Sequence, residues 1–185
     1  MNRFHHWYCQ SERWRRAASG RLLPWVLSTV DLGDDVLELG PGLGVTTEYL
    51  APRTAALTAV ELDPVLVARL RERFPAVTVV EGDATAMSLP DNRFSAVVSF
   101  TMLHHLPSAE AQDRLFAEAF RVLRPGGFFA GSDSRLSLRM RLYHMADTMT
   151  IVPLDSLEPR LAAAGFTDIA VGTSPRSNRF RARKP

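Results

Sequence analysis

The sequence predicts an α/β protein in which a mostly parallel sheet is covered by helices on both faces. Three observations carry that expectation. Short apolar runs alternate with helix-patterned segments, a glycine-rich turn joins one such run to the helix after it, and Phe94 to Phe100 is apolar almost throughout. A strand covered on both faces needs such a continuous run, whereas a half-exposed strand alternates.

The elements follow in order. Leu22, Leu23, Val26, Leu27 and Val30 stand at helical spacing, with Pro24 suited to a first turn. Val36 to Leu39 reads as the first strand and Val45 to Leu50 as a helix. Ala55 to Val60 is the second strand, and Pro64 opens a helix through Phe74 with Leu66, Leu70 and Phe74 on one face. Val77 to Val80 and Phe94 to Phe100 are the third and fourth strands. Ser108 is a good N-cap for a helix carrying Leu115, Phe116, Ala119, Phe120 and Leu123. Pro125-Gly126-Gly127 is expected to end it, with a fifth strand over Phe128 to Gly131. Asp155 and Glu158 make a capping-box pattern for a helix closed by Gly165. Asp168 to Thr173 and Arg179 to Arg183 read as a final strand pair around a Ser-Pro-Arg-Ser-Asn turn.

Composition bounds the function. A chain of 185 residues, 46% hydrophobic, suits one domain with a sizeable core. No stretch approaches the roughly 20 apolar residues of a membrane span, and Pro24 interrupts the one run after the early arginines, so no secretory signal is expected. The single cysteine, Cys9, excludes an internal disulfide and a cysteine-built zinc site, and the cytoplasm is the expected compartment. Net charge is +2, but 14 acids face 6 arginines between Asp31 and Glu118, while the last ten residues hold Arg176, Arg179, Arg181, Arg183 and Lys184 without an acid. That tail suits nucleic acid or a solvated edge strand. Without a basic helix or interleaved aromatics, the edge strand is preferred and no nucleic acid partner is expected.

Residues 36 to 44, Val-Leu-Glu-Leu-Gly-Pro-Gly-Leu-Gly, carry the chemistry. Glycines at 40, 42 and 44 let backbone approach a ligand at a strand-to-helix turn. A dinucleotide fingerprint places its third glycine at 45, which is Val45 here. Glu61, at the end of the second strand, can accept from the vicinal hydroxyls of a ribose, or be a solvated loop acid. Asp63 reads as the next helix's N-cap. Asp83 can read the exocyclic amine of an adenine or cap a turn. Glu38 is odd inside an apolar strand, since a lone buried carboxylate is costly, and a cationic ligand group would partner it. Three acids around one cleft repel a pyrophosphate and suit an ammonium and a sulfonium, the charges of S-adenosylmethionine.

With these residues the chain resembles the class I S-adenosylmethionine-dependent methyltransferases, in particular the methyltransferase type 11 group. The likeness spans about residues 34 to 133. It rests on the glycine turn, Ala-Val-Glu-Leu-Asp at 59–63, Glu-Gly-Asp-Ala at 81–84, Leu-Pro-Asp-Asn-Arg-Phe-Ser-Ala-Val-Val-Ser-Phe at 89–100, Leu-His-His-Leu at 103–106 and Arg-Val-Leu-Arg-Pro-Gly-Gly at 121–127. The resemblance implies a Rossmann-like, doubly wound seven-stranded sheet with an antiparallel last strand. It implies that Glu38, Gly40, Pro41, Gly42 and Gly44 line the methionine part of S-adenosylmethionine, that Glu61 holds the ribose and that Leu62 packs on the adenine. Asp83 with Ala84 would read the base, and Ser99, Phe100 and Thr101 would lie near the reacting end. One domain over 1–185 follows, with residues 1–30 as a helical N-terminal lid and 134–152 as a variable acceptor-site segment.

Methyl transfer from a sulfonium is an in-line displacement, so alignment of the nucleophile is the main task. A base is needed only for an acceptor that is protonated at working pH. His104 and His105 are nearest, His105 the weak catalytic candidate, and either can equally pack the turn before the Ser108 helix. The pair His144 and Asp147 has less to support it. Tandem histidines do not match zinc spacing, so no metal is expected. Cys9 lacks the Pro-Cys context of cytosine methylation, and the Asp/Asn-Pro-Pro-Tyr signature of base amino methylation is absent. Phe4, Trp7, Tyr8 and Trp14, and Met140, Met145, Met149, Leu142 and Tyr143, form core or an apolar acceptor pocket. The expected function is methyl transfer to a small molecule. A non-catalytic S-adenosylmethionine-binding protein and a nicotinamide oxidoreductase are the alternatives.

Overall fold

The computed structural model describes residues 11–137 and 149–185. The described residues open on a helix that begins earlier than hydropathy suggests. Ser11 caps α1 (Glu12–Ala17) by accepting from the Trp14 amide, and the helix continues through a π-helical turn, Ala18–Leu22, into α2 (Leu23–Leu27). Leu23 N–H reaches back to the Ala18 carbonyl across that wider turn. Pro24, which has no N–H to give, lies in the first turn of α2, as read, just past the π-helical turn.

Alternating units then build the sheet: β1 (Asp35–Leu39), α3 (Val45–Leu50), β2 (Ala56–Glu61), α4 (Pro64–Arg73), β3 (Thr78–Glu81), β4 (Phe94–Phe100), α5 (Ala109–Val122) and β5 (Leu123–Ser134). The chain ends with α6 (Leu154–Ala163), β6 (Thr167–Thr173) and β7 (Ser177–Arg183). The strand order is β3-β2-β1-β4-β5-β7-β6. All pairs are parallel except those made by β7, which runs antiparallel to both neighbours. β1 and β4 are neighbours although 54 residues of chain lie between Leu39 and Phe94, so the winding reverses between them and opens a crevice at their carboxyl ends.

Each sheet face has its own core. One joins Leu37, Val97 and Phe129 to Leu115 and Phe116 of α5 and Leu157 and Leu161 of α6. The other joins Val36, Ala96, Val98 and Phe100 to Leu23 and Val26 of α2 and Val67 and Leu70 of α4. On the first face Phe129 lies 5.9 Å from Phe116, 5.6 Å from Phe166 and 4.9 Å from Phe180, centroid to centroid, so one ring ties the sheet to the α5 and α6 layer.

Two local expectations are corrected. Pro125-Gly126-Gly127 does not separate α5 from β5. Leu123 is already extended and paired with Phe94, and the register then shifts before Ala96 meets Phe128. The segment is a bulge inside the strand, held by Gly126 N–H to the Lys184 carbonyl and Lys184 N–H to the Gly127 carbonyl. The capping box at Asp155 and Glu158 is also absent: Pro153 occupies the N-cap position and Asp155 lies in the first turn, where its charge still suits the helix dipole. Ser108, Asp63 and Gly165 act as read, as caps or as the left-handed residue after a helix.

Candidate functional site

The carboxyl ends of β1, β2, β3 and β4 surround a cleft of about 560 Å³. Its floor is the glycine turn. Gly40 donates to the Val60 carbonyl at 2.9 Å and Gly44 to the Pro41 carbonyl at 3.0 Å, which folds the turn back over the end of β2. All three glycines have positive φ, but for different ends. A Cβ on Gly42 would meet nothing within 4 Å, so this backbone faces the open cleft. A Cβ on Gly44 would stand 2.6 Å from Phe74 and 2.9 Å from Leu70, so that glycine lets α3 approach α4.

Glu61, 8% exposed, lines the cleft and is held by backbone alone. Its Oε2 accepts from Gly42 N–H at 2.9 Å, and its Oε1 from Leu62 and Asp63 N–H at 2.9 and 3.1 Å. Three backbone donors fix the position of this carboxylate beside the glycine turn. Leu62 is 67% exposed yet belongs to the cleft wall, an apolar surface turned towards the space over β2. Asp83 Oδ1 caps its own turn through Thr85 N–H and Oγ1, both at 2.8 Å, and Asp83 and the buried Ala84 both line the cleft. The cleft's acidic lining is Glu61, Asp63 and Asp83, and no lysine or arginine lines it among the described residues.

Gly40, Pro41, Gly42, Phe100, Thr101 and His105 line the same cleft, so the structure brings together most of the residues read from sequence. Thr101 is held at φ 53, strained for a β-branched residue, by its N–H to the Ser132 carbonyl at 2.7 Å and its Oγ1 to the Phe100 carbonyl at 2.7 Å. Glu38, Gly44 and Ser99 are not in the lining. Glu38 is 1% exposed beneath the turn, and the partners of its carboxylate are the hydroxyls of Thr46 and Thr47, the latter at 2.6 Å, rather than a ligand cation. Burial pushes this carboxyl up to about 7, against the lowering pull of the two hydroxyls and with a smaller rise from the Glu61 charge. Ser99 is fully buried, its hydroxyl without a hydrogen-bond partner among the described residues.

Sequence reading missed Met102, whose side chain packs where a Gly40 Cβ would stand, and Leu66 and Leu106 in the lining. It named His104 as a candidate but missed its pairing: the residue is buried with Nδ1 2.5 Å from Asp133 Oδ1, while its ring centroid lies 4.2 Å from that of His105. The only signals were the tandem histidines and an acid at the end of β5. Trp14 reaches the cleft from α1. Phe4, Trp7, Tyr8, Cys9, Met140, Leu142, Tyr143, His144, Met145 and Asp147 lie outside the described residues.

Residues 37–131 match the family model described as a methyltransferase domain, just over half of the chain. The chain belongs to this methyltransferase-domain family. It is 36% identical over 168 residues to ribosomal RNA small subunit methyltransferase A of Synechococcus sp., covering 75% of this chain and 59% of that one. It is 37% identical over 107 residues to a fatty-acid O-methyltransferase of Mycolicibacterium smegmatis, covering 56% and 38%. The chain spans from 37% to 59% of the length of such curated relatives. The methyltransferase-domain fold is shared with phosphoethanolamine N-methyltransferase 2 of Haemonchus contortus, solved in complex with S-adenosyl-L-methionine: TM-score 0.76, 18% identity, 100% of this chain and 60% of that one. No helix among the described residues is long and apolar enough to cross a membrane.

Proposed function

We propose that the cleft binds S-adenosylmethionine and that the protein transfers its methyl group to a small-molecule acceptor by in-line displacement. The observation that carries this reading is Glu61: a carboxylate fixed by three backbone amides between an open glycine turn and an exposed leucine. That arrangement fits an adenosyl group, with the ribose hydroxyls on Glu61 and the ring against Leu62. Of the carboxylate's roughly four acceptor positions, three are filled by protein. Holding both ribose hydroxyls therefore requires Glu61 to give up one amide, and Gly42, the donor from the glycine turn with open space beside it, is the one we assign. Asp83 keeps Oδ2 for an exocyclic amine, since Oδ1 is taken by Thr85.

Bound there, S-adenosylmethionine supplies a methyl group already activated on a sulfonium. The chain's own residues then orient and exclude. Trp14 from α1 narrows the cleft, which supports residues 1–30 as a lid. Met102 and Leu106 form an apolar wall beyond β4 and favour a small acceptor with apolar surface. For an acceptor whose hydroxyl or amine must lose a proton, His105 is the cleft-lining imidazole that takes it up.

The ribosomal RNA methyltransferase relative favours a second reading, an RNA acceptor. Against it, the basic residues near the carboxyl end are occupied within the fold: Arg179 and Arg181 donate to the Trp25 and Thr29 carbonyls and Lys184 to those of Phe120 and Leu123. The deciding experiment is a thermal shift series followed by turnover with methyl-labelled S-adenosylmethionine on a small-metabolite extract and on ribosomal RNA. S-Adenosylhomocysteine at 100-fold over Kd should stabilise by about 2.7 kcal/mol, or about 5–10 °C, and NAD should not. No shift at millimolar cofactor sinks the reading. Label appearing in RNA alone replaces the acceptor class.

A further inference from the structure

We propose that Asp133 and His104 act as a positioning pair for His105: the carboxylate fixes the His104 ring, and that ring sets the direction in which the His105 imidazole faces the cleft. The inference rests on the reading of the cleft as a methyl-transfer site and adds residues that do not line it.

The 3₁₀ turn Leu103–His105 follows β4 directly and is held from three directions. From β5, Asp133 Oδ1 lies 2.5 Å from His104 Nδ1. From α5, the buried Gln112 donates Nε2–H to the Leu103 carbonyl at 3.1 Å and to the Thr150 carbonyl at 2.7 Å. From the chain before α6, Thr150 N–H donates to the His104 carbonyl at 2.8 Å. Arg160 of α6 in turn donates to Gln112 Oε1 at 3.0 Å, which fixes the amide that holds the turn. His104 is thus anchored through both its main chain and its ring, and His105 packs against it with rings tilted by 39°.

A stabilising role alone accounts poorly for Asp133. It is 4% exposed, and among the described residues neither its Oδ2 nor Ser99 Oγ, on the neighbouring strand, has a hydrogen-bond partner. A carboxylate buried with one bond costs more than an apolar residue of similar size, so its presence needs a reason beyond packing. The group its Oδ1 fixes is the His104 ring, which packs against the cleft-lining His105. With Nδ1–H donated to Asp133, the tautomer and the plane of His104 are both set, and the space left to the His105 ring is set with them.

Asp133→Ala tests this without a known acceptor. Diethyl pyrocarbonate labels histidine rings, and peptide fragmentation separates His104 from His105. We expect His105 labelling in Asp133→Ala to change by about threefold or more, while S-adenosylhomocysteine affinity by calorimetry stays near that of the native protein. Asp133→Asn, whose amide oxygen still accepts from Nδ1–H, should restore the native rate. An unchanged His105 rate in Asp133→Ala overturns the proposal, as does a failure of the asparagine variant to restore it. If neither variant folds, long-range proton–nitrogen spectra of the native protein decide, because a His104 ring without a proton on Nδ1 contradicts the pair. Loss of S-adenosylhomocysteine binding by the native protein defeats the methyl-transfer reading instead and leaves the labelling result standing.

Discussion

At the scale of single residues, the two glutamates at the strand ends divide the work. Glu61 was legible as a cleft residue because it ends an apolar strand beside a glycine turn. Glu61→Ala removes the proposed ribose acceptor and the acceptor for the Gly42, Leu62 and Asp63 amides together, so most of the thermal shift with S-adenosylhomocysteine should vanish. A variant that keeps the full shift would refute the assignment. Glu38 behaves differently. Burial raises its carboxyl from 4.5 to about 7, so between those values the folded protein holds a proton that the unfolded chain has lost. Binding more protons when folded means stability falls as pH rises across that window, by about 3 kcal/mol for this group alone. Glu38→Gln keeps a partner for each threonine hydroxyl and lacks the charge. Its melting temperature should therefore fall less than the native protein's between pH 5 and 7.5, and exceed it at the upper end. Parallel melting curves across that range would show the burial cost to be imaginary.

At the scale of elements, the glycine turn joins ligand binding to packing, and substitutions separate the two. Gly44→Ala forces a left-handed alanine against Phe74 at 2.6 Å and Leu70 at 2.9 Å, so about 2–4 kcal/mol of stability should be lost. Gly42→Ala meets open space at φ 57 and should cost about 1–2 kcal/mol, while its methyl group intrudes on the cleft and weakens S-adenosylhomocysteine binding far more. Denaturant midpoints and calorimetry on the pair check the division, and equal stability losses contradict it. The sequence showed the three glycines but not which one packs, because the partners of Gly44 lie on α4, 26 residues and more away. The same limit explains β5. Leu123 looked like the end of a helix because its pairing with Phe94 and the bulge at Pro125-Gly126-Gly127 exist only once β4 is alongside. α6 shows a local version: the Asp155 and Glu158 spacing is a genuine capping pattern, yet Pro153 sets the extended entry two residues earlier.

At the scale of the whole molecule, the apolar runs of β1, β2 and β4 made the parallel core readable, since burial on both faces leaves a mark in composition. What joins the two chain ends left none, because it is made with backbone carbonyls. β7 alternates buried Asn178, Phe180 and Ala182 with outward Arg179, Arg181 and Arg183. Two of those arginines reach the far end of the N-terminal helix: Arg179 donates to the Trp25 carbonyl with its guanidinium 4.7 Å over the Trp25 ring, and Arg181 donates to the Thr29 carbonyl at 3.2 Å. The basic tail is therefore a clasp on α2, and α2 continues α1, which carries Trp14 into the cleft. Loosening the clasp should be felt at the ligand. Arg179→Ala removes a charge-assisted hydrogen bond and a cation–π contact, worth about 1–3 kcal/mol together. Amide exchange over residues 12–29 should quicken, and S-adenosylhomocysteine affinity should fall although no cleft-lining residue has changed. Arg176→Ala, on the exposed turn before β7, serves as the charge-matched control and should leave both readings at native values. If the two variants lose affinity equally, the net positive charge matters and the clasp does not. If Arg179→Ala exchanges faster over 12–29 but binds normally, the N-terminal helix is docked by β7 without taking part in ligand binding.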